Sequence, residues 1–567
     1  MALSIPELTA VNNDGTAISM SWKPVAGTNI EYGATLYSTD GSFSMNSPLV
    51  SGLSLSITAT LDTNKQYEVR LHAYDENGTE SDSTPTSVIT RTTQLSEVNN
   101  SGTRIAISWP AGVLKPGEEY AAGVYATNGS ASYYAPATTK TTATVDQALD
   151  TNKSYQAVVA ITNGISSGPP SDPIDVIVEA PTLSQIAYNL TETTIQWDSL
   201  SINSVTYGAL LYATDGSFSK NPLPTAGLSA SVSQVLDNSK TYNAQVQAIV
   251  GLSSGPFSDP VEVITQQPVL NELSYNLTET TIKWDALSMV NVTYGAQLAS
   301  TDGGYSDSPS PTTNLSVTIA EVLDDSKTYQ AKVQAIVGIS RGPFSEVTAV
   351  ITQQPALTDL EYDDDTVTLK WGAVSLTGAN YIATVAATDG SYQDSSPASS
   401  GLSAVIQHTL SDTVTYQGSC KVVIGISQGP ESNKVDVLTS LPGPALVNYN
   451  GTDILASWLG DSSSGITGYE VSLLKDHTPK LSNRVTTTDT QFTQNLDPGA
   501  VFTVQVRSVA GISKGPLTAP GFAPFASNRV MAYDQQGRLT SVVDDGSWNY
   551  TYSIDPPGNI TNMTVSK

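Results

Sequence analysis

Tyr188-Asn-Leu-Thr-Glu-Thr-Thr-Ile-Gln-Trp197 decides the fold, because Tyr275-Asn-Leu-Thr-Glu-Thr-Thr-Ile-Lys-Trp284 repeats it 87 residues later. Working outward, tryptophans fall at 22, 109, 197, 284, 371 and 458, spaced by 87, 88, 87, 87 and 87. Each is followed ten or eleven residues on by a tyrosine: Tyr32, Tyr120, Tyr207, Tyr294, Tyr381 and Tyr469. Later in each unit a leucine precedes an aromatic by six, as Leu61–Tyr67, Leu149–Tyr155, Leu236–Tyr242, Leu323–Tyr329, Leu410–Tyr416 and Leu496–Phe502. A fixed period of this size marks a tandem array. Within a unit the period is two: Tyr242, Ala244, Val246 and Ala248 share one face, and Asn243, Gln245 and Gln247 the other. Asp-Gly, Asn-Gly and Gly-Pro turns part such runs. Several short strands in about 87 residues predict a two-sheet antiparallel sandwich.

Composition agrees. Charged residues make up 14% of the 567, against a norm of about 25%. The surface is therefore built from Ser, Thr, Asn, Gln and Gly, which suits sheets and turns better than exposed helices. Twenty-five basic against 53 acidic residues leave a net charge of −28, which repels phosphates and excludes nucleic-acid partners. No stretch reaches 18 uninterrupted apolar residues, so no membrane insertion is expected. The start, Met-Ala-Leu-Ser-Ile-Pro-Glu-Leu, shows neither a basic n-region nor an apolar h-region.

The tryptophan on the second strand, Tyr469-Glu-Val on the third and the Leu-x5-Tyr entry to an alternating strand resemble fibronectin type III domains. The Gly-Ile-Ser-x-Gly-Pro hairpin fits the same pattern, and the resemblance covers roughly residues 3–525. It implies an all-β, linear array of six immunoglobulin-like antiparallel sandwiches spanning 1–92, 93–179, 180–266, 267–353, 354–440 and 441–525. The structural core is then Trp22, Trp109, Trp197, Trp284, Trp371 and Trp458 with Tyr67, Tyr155, Tyr242, Tyr329, Tyr416 and Phe502. The tyrosines take the place of the family's tyrosine corner, whose hydroxyl bonds nearby backbone; Phe502 loses that bond. Linkers such as Thr-Gln-Gln-Pro are a few residues long, so neighbours should touch. At about 35 Å per domain the array would extend roughly 200 Å.

Residues 526–567 change character. Tyr533-Asp534-x-x-Gly537-Arg538-Leu539 and Tyr552-x-x-Asp555-x-x-Gly558 resemble one Rhs, or YD, repeat, with Ile554 standing where the second Tyr is due. The expectation is a short C-terminal β-hairpin, turning near Gln535–Gly537 and Pro556–Gly558. Its many apolar residues call for packing on the sixth sandwich, on a partner chain or on further repeats.

Sites are few. Cys420 aligns with Leu71, Val159, Val246, Val333 and Val506, an inward core position. His72 lies on the outward parity, facing solvent, and His408 and His477 have no counterparts, so no catalytic residue, metal site or cofactor is expected. Asp40, Asn128, Asp215, Asp302 and Asp389 each precede Gly in a recurrent loop. That is a turn requiring positive φ, or a ligand loop in which the carboxylate and Phe43, Phe218, Tyr305 or Tyr392 hold a sugar. The Gly-Pro hairpins occupy a recognition position in the family resembled. Glu361 and Asp363-Asp-Asp form an acidic run, read as a solvated turn ahead of a calcium site. The sequence points to a non-enzymatic spacer, adhesion or presentation region, with protein or glycan partners at a cell surface. The YD resemblance adds secreted, toxin-related bacterial biology. The alternative is a carbohydrate-binding repeat protein or an accessory region of a polysaccharide-active enzyme.

Overall fold

The computed structural model describes residues 3–443 and 445–566 apart from 450–452, 464, 476–477, 488–490, 496–501, 524–528, 534–537, 545–547 and 555–559. Every regular element among them is a strand. The first sandwich shows the pattern. Leu8–Asn13, Ala17–Trp22 and Ser54–Thr58 pair as one layer. Glu31–Ser38, Ser44–Asn46, Tyr67–Tyr74, Glu80–Asp82 and Thr86–Val88 form a second, five-stranded sheet. Tyr67–Tyr74 alternates strictly between buried and half-buried residues, as its period-two sequence dictates. The two inner faces close on Trp22, Ile18, Leu36, Val69 and Leu71.

The six tryptophans are all buried, at 1–5% exposure. Each rests against the tyrosine ten or eleven residues later, with ring centroids 5.1–5.6 Å apart. That tyrosine's hydroxyl accepts the backbone N–H of Val25, Gly112, Leu200, Val374 or Asp461 in five units, so its polar end is satisfied where it enters the core. The corner tyrosines behave as the resemblance implies: Tyr67, Tyr155, Tyr242, Tyr329 and Tyr416 accept the N–H five residues upstream at 3.2–3.4 Å. The side chain of Phe502 lies outside the described residues.

The sandwiches are not separate beads. The opening strand of one pairs in parallel with the closing hairpin of the next, as Val11 with Ser166, Val98 with Ser253, Ile186 with Ser340, Leu273 with Ser427 and Leu360 with Ser513. Main-chain bonds of 2.8–3.1 Å seal these joints, from the N–H of Val11, Val98, Ile186, Leu273 and Leu360 to Ile165, Leu252, Ile339, Ile426 and Ile512. The result is eight-stranded sheets that belong to two sandwiches at once.

The chain divides into two compact units. The first, residues 1–267 with 287–293 and 334–344, contains the first three sandwiches and the closing hairpin of the fourth, which its ladder to Leu183–Tyr188 draws in. The second, residues 268–286, 294–333 and 345–567, contains the rest of the fourth, the fifth and sixth sandwiches and the tail. In the sixth, Leu446–Tyr449, Asp453–Ser457 and Gln491–Asn495 form a three-stranded sheet. The tail corrects the expected hairpin. Arg529–Tyr533, Leu539–Asp544, Trp548–Ile554 and Ile560–Ser566 make a four-stranded antiparallel sheet. Trp548–Ile554 pairs on both sides, with Leu539–Asp544 and with Ile560–Ser566, so the segment holds two more strands than a single hairpin. The two expected turns lie outside the described residues.

Candidate functional sites at joints and edges

The Thr-Asp-Gly loops are tight turns. Gly41, Gly129, Gly216, Gly303 and Gly390 have φ of 73–76°, open to glycine without strain. Asp40, Asp215 and Asp389 each accept the N–H and hydroxyl of the serine two residues on, and Asp302 accepts the N–H of Gly304 and the Ser300 hydroxyl. Asn128 accepts the Ser130 N–H in the same way. These bonds, led by the serine hydroxyls, hold the four carboxyls below their usual range, Asp302 at about 2. Lys65, Lys240 and Lys327 sit 3.2–3.7 Å from Asp40, Asp215 and Asp302. The flanking aromatics turn inward: Phe43, Phe218, Tyr305 and Tyr392 meet the corner tyrosines edge-on, with centroids 5.7–6.0 Å apart. The carboxylates of Asp40, Asp215 and Asp302 are thus already engaged by a serine and a lysine, and the four rings are packed against the corner tyrosines.

The Gly-Pro hairpins are placed differently from the sequence expectation. Ser166, Ser253, Ser340, Ser427 and Ser513 are at most 2% exposed, wedged beside the preceding sandwich's opening strand. A Cβ on Gly168, Gly255, Gly342 or Gly429 would stand 2.5–2.7 Å from Ile89, Ile177, Ile264 or Ile351, the residue that ends the preceding sandwich. Gly515 is looser, 3.3 Å from Leu438. The Ser-x-Gly-Pro motif is joint hardware, and its glycine exists because a neighbour approaches too closely for any side chain. A one-residue slip accompanies it, as between Gln247–Phe257 and Ile249–Ser254. The first unit has Glu80 at the glycine's position and a regular hairpin.

The joints differ in how the linker is tied. Arg91 reaches Glu118, which burial would raise but which Arg91 and the Lys115 N–H hold below its usual range. Glu179, at the same linker position, is exposed, and an open cleft of about 800 Å³ lies there, lined by Ile174, Val178, Ser201, Ile202 and Val250. The cleft at the first joint is about 160 Å³. At the fourth, the Gln353 side chain accepts the Ser375 N–H at 3.0 Å. The fifth is charged. Arg507, 1% exposed, binds Glu361 across the joint and Glu470 within its own sandwich at 2.9 Å. Lys514 binds Asp359 at 2.8 Å. The acidic run is thus divided: Glu361 is committed to Arg507, and Asp363–Asp365 form a turn with Asp364 at φ 47°.

Cys420 is 1% exposed, and burial pushes its thiol up to about 11. His408 stacks on Tyr392 at 4.0 Å. His477 lies outside the described residues. His72 is not solvent-facing as its parity suggested: its side chain is 15% exposed and packed against Glu80 and Asp82. Sequence reading missed both carboxylates. The signal was the Asn77-Gly78 turn, which sets His72 opposite Asp82 and Tyr74 opposite Glu80.

Among known proteins, residues 442–523 match the family described as fibronectin type III domain. The crystal structure of the chicken CNTN1 FN1–FN3 domains is similar at 17% identity, covering 46% of this chain and 96% of that one, with a TM-score of 0.20.

Proposed function

We propose that this chain is a non-enzymatic spacer that holds other parts of a secreted or surface protein apart and presents them. The sandwiches make it a modular region of spacer or adhesion type. The observation that carries the finer reading is the strand ladder at each joint, which removes the freedom a flexible linker would leave. Scattering from the full chain tests it. A spacer gives a radius of gyration far above the roughly 25 Å of a compact chain of this length. A value near 25 Å would end this reading.

Domain boundaries near 92, 179, 266, 353, 440 and 525 belong to the proposal, as does an extracellular or surface setting with protein partners. The inward-turned aromatics of the Thr-Asp-Gly loops weigh against the carbohydrate-binding alternative. The relation of residues 526–567 to Rhs repeats, and through it to toxin biology, is likewise proposed. The antiparallel pairing of successive strands in that segment supports it.

A further inference from the structure

Five residues after the corner aromatic stand His72, Ala160, Gln247, Gln334, Lys421 and Arg507. In units two to six the closing hairpin beside this position is covered by the preceding sandwich's opening strand. In the first unit the hairpin edge Glu80–Asp82 pairs, among the described residues, only with Tyr67–Tyr74.

There the His72 Nδ1 lies 2.7 Å from an Asp82 oxygen and 3.0 Å from a Glu80 oxygen. Its Nε2 is 2.9 Å from the Thr35 hydroxyl oxygen. That hydroxyl donates its own proton to the Asn46 side-chain oxygen at 2.8 Å, so it accepts from His72 and fixes the N–H on Nε2. So held, the ring turns Nδ1 toward both carboxylates. One imidazole nitrogen and two carboxylate oxygens thus converge on one point, where a proton or a metal cation would join them.

We propose that His72, Glu80 and Asp82 bind a zinc ion at this hairpin. One imidazole nitrogen and two carboxylate oxygens suit zinc, whereas calcium demands six to eight oxygens. Donors around tetrahedral zinc lie about 3.3 Å apart at bond lengths of about 2.0–2.1 Å. The Glu80 and Asp82 oxygens, at 3.0 and 2.7 Å from Nδ1, need retreat about 0.3 and 0.6 Å to reach that spacing, and both side chains are exposed enough to do so, at 48% and 39%. The supporting contacts are those of a metal site: the Thr35–Asn46 relay behind the histidine, Tyr74 donating to Glu80 at 2.9 Å, and Arg70 3.7 Å from the far oxygen of Asp82. Bound zinc would clamp the hairpin across an edge that, in the other units, a neighbouring strand protects.

The test titrates the full chain with zinc alone by calorimetry, and with cobalt(II) for its visible d–d absorption. One saturable equivalent is expected, weakened at least tenfold in His72→Gln and in Asp82→Asn, with the cobalt band lost in both. Thr35→Val, which touches no ligand atom, should weaken binding about tenfold by freeing the ring. Unchanged circular dichroism without metal establishes that the variants fold. Absence of saturable binding, or binding that survives His72→Gln, overturns the site. So does a His72 ring protonated on both nitrogens at neutral pH and indifferent to zinc, since a proton would then fill the gap.

Discussion

Two glycines separate what a residue does for its own turn from what it does for a neighbour. Gly216, at φ 74° with open space around it, serves only the loop, so Gly216→Ala should cost about 1 kcal/mol and leave the joints intact. Gly255 has ordinary backbone but stands where a Cβ would lie 2.6 Å from Ile177. Gly255→Val should cost about 1–3 kcal/mol through overpacking. Its mark would be faster hydrogen exchange at the Val98 amide, which bonds Leu252 across the same joint at 2.9 Å. Equal exchange in the two variants would dismiss the joint role of the motif. Cys420 gives a third residue-scale expectation. With the thiol buried and pushed up to about 11, Ellman's reagent should react only when the fifth sandwich unfolds.

At the scale of the element, the fifth joint is one that acid should open. Burial works to raise the Asp359 carboxyl, but Lys514 and Lys370 override it and hold the group below its ordinary value near 4. A depressed carboxyl contributes its stabilisation fully above that ordinary value and loses it as pH falls through the depressed one. Asp461, tied to Ser440 and Ser508 at 2.7 Å each, follows the same direction. Below about pH 4, exchange at the Leu360 amide should therefore rise ahead of exchange at Val98 and Ile186. Asp359→Asn should show the loosening already at neutral pH. Strands and turns such as these were legible in the sequence, because period-two burial and Asp-Gly turns are local signals. The joints were not, because Val11 and Ser166 are brought together by tertiary packing that leaves no local pattern. The trace they do leave is the Ser-x-Gly-Pro motif present in five units and missing from the first, which reads equally well as a recognition loop until the neighbour is seen.

At the scale of the whole molecule, shared sheets make stability a property of neighbours. Trp197→Ala removes a core side chain that is 2% exposed and should cost the third sandwich about 3–5 kcal/mol. Independent domains would confine that loss to one melting transition. Here it should spread, since the third sandwich's hairpin pairs with Glu97–Asn100 and its opening strand pairs with Ser340–Phe344. Exchange at Val98 and Ile186 should rise together, as nearest-neighbour coupling requires; a change confined to residues 180–266 would refute the coupling. The same ladders also bear on how the chain carries load. Between the first two sandwiches, tension has two parallel routes: the covalent segment after Val88, and the non-covalent bridge from Val11 to Ile165. Rupture of the bridge leaves the covalent segment to carry the load alone. Stretching a single molecule should then show small early releases, about 3.5 Å for each freed linker residue, before any sandwich unravels.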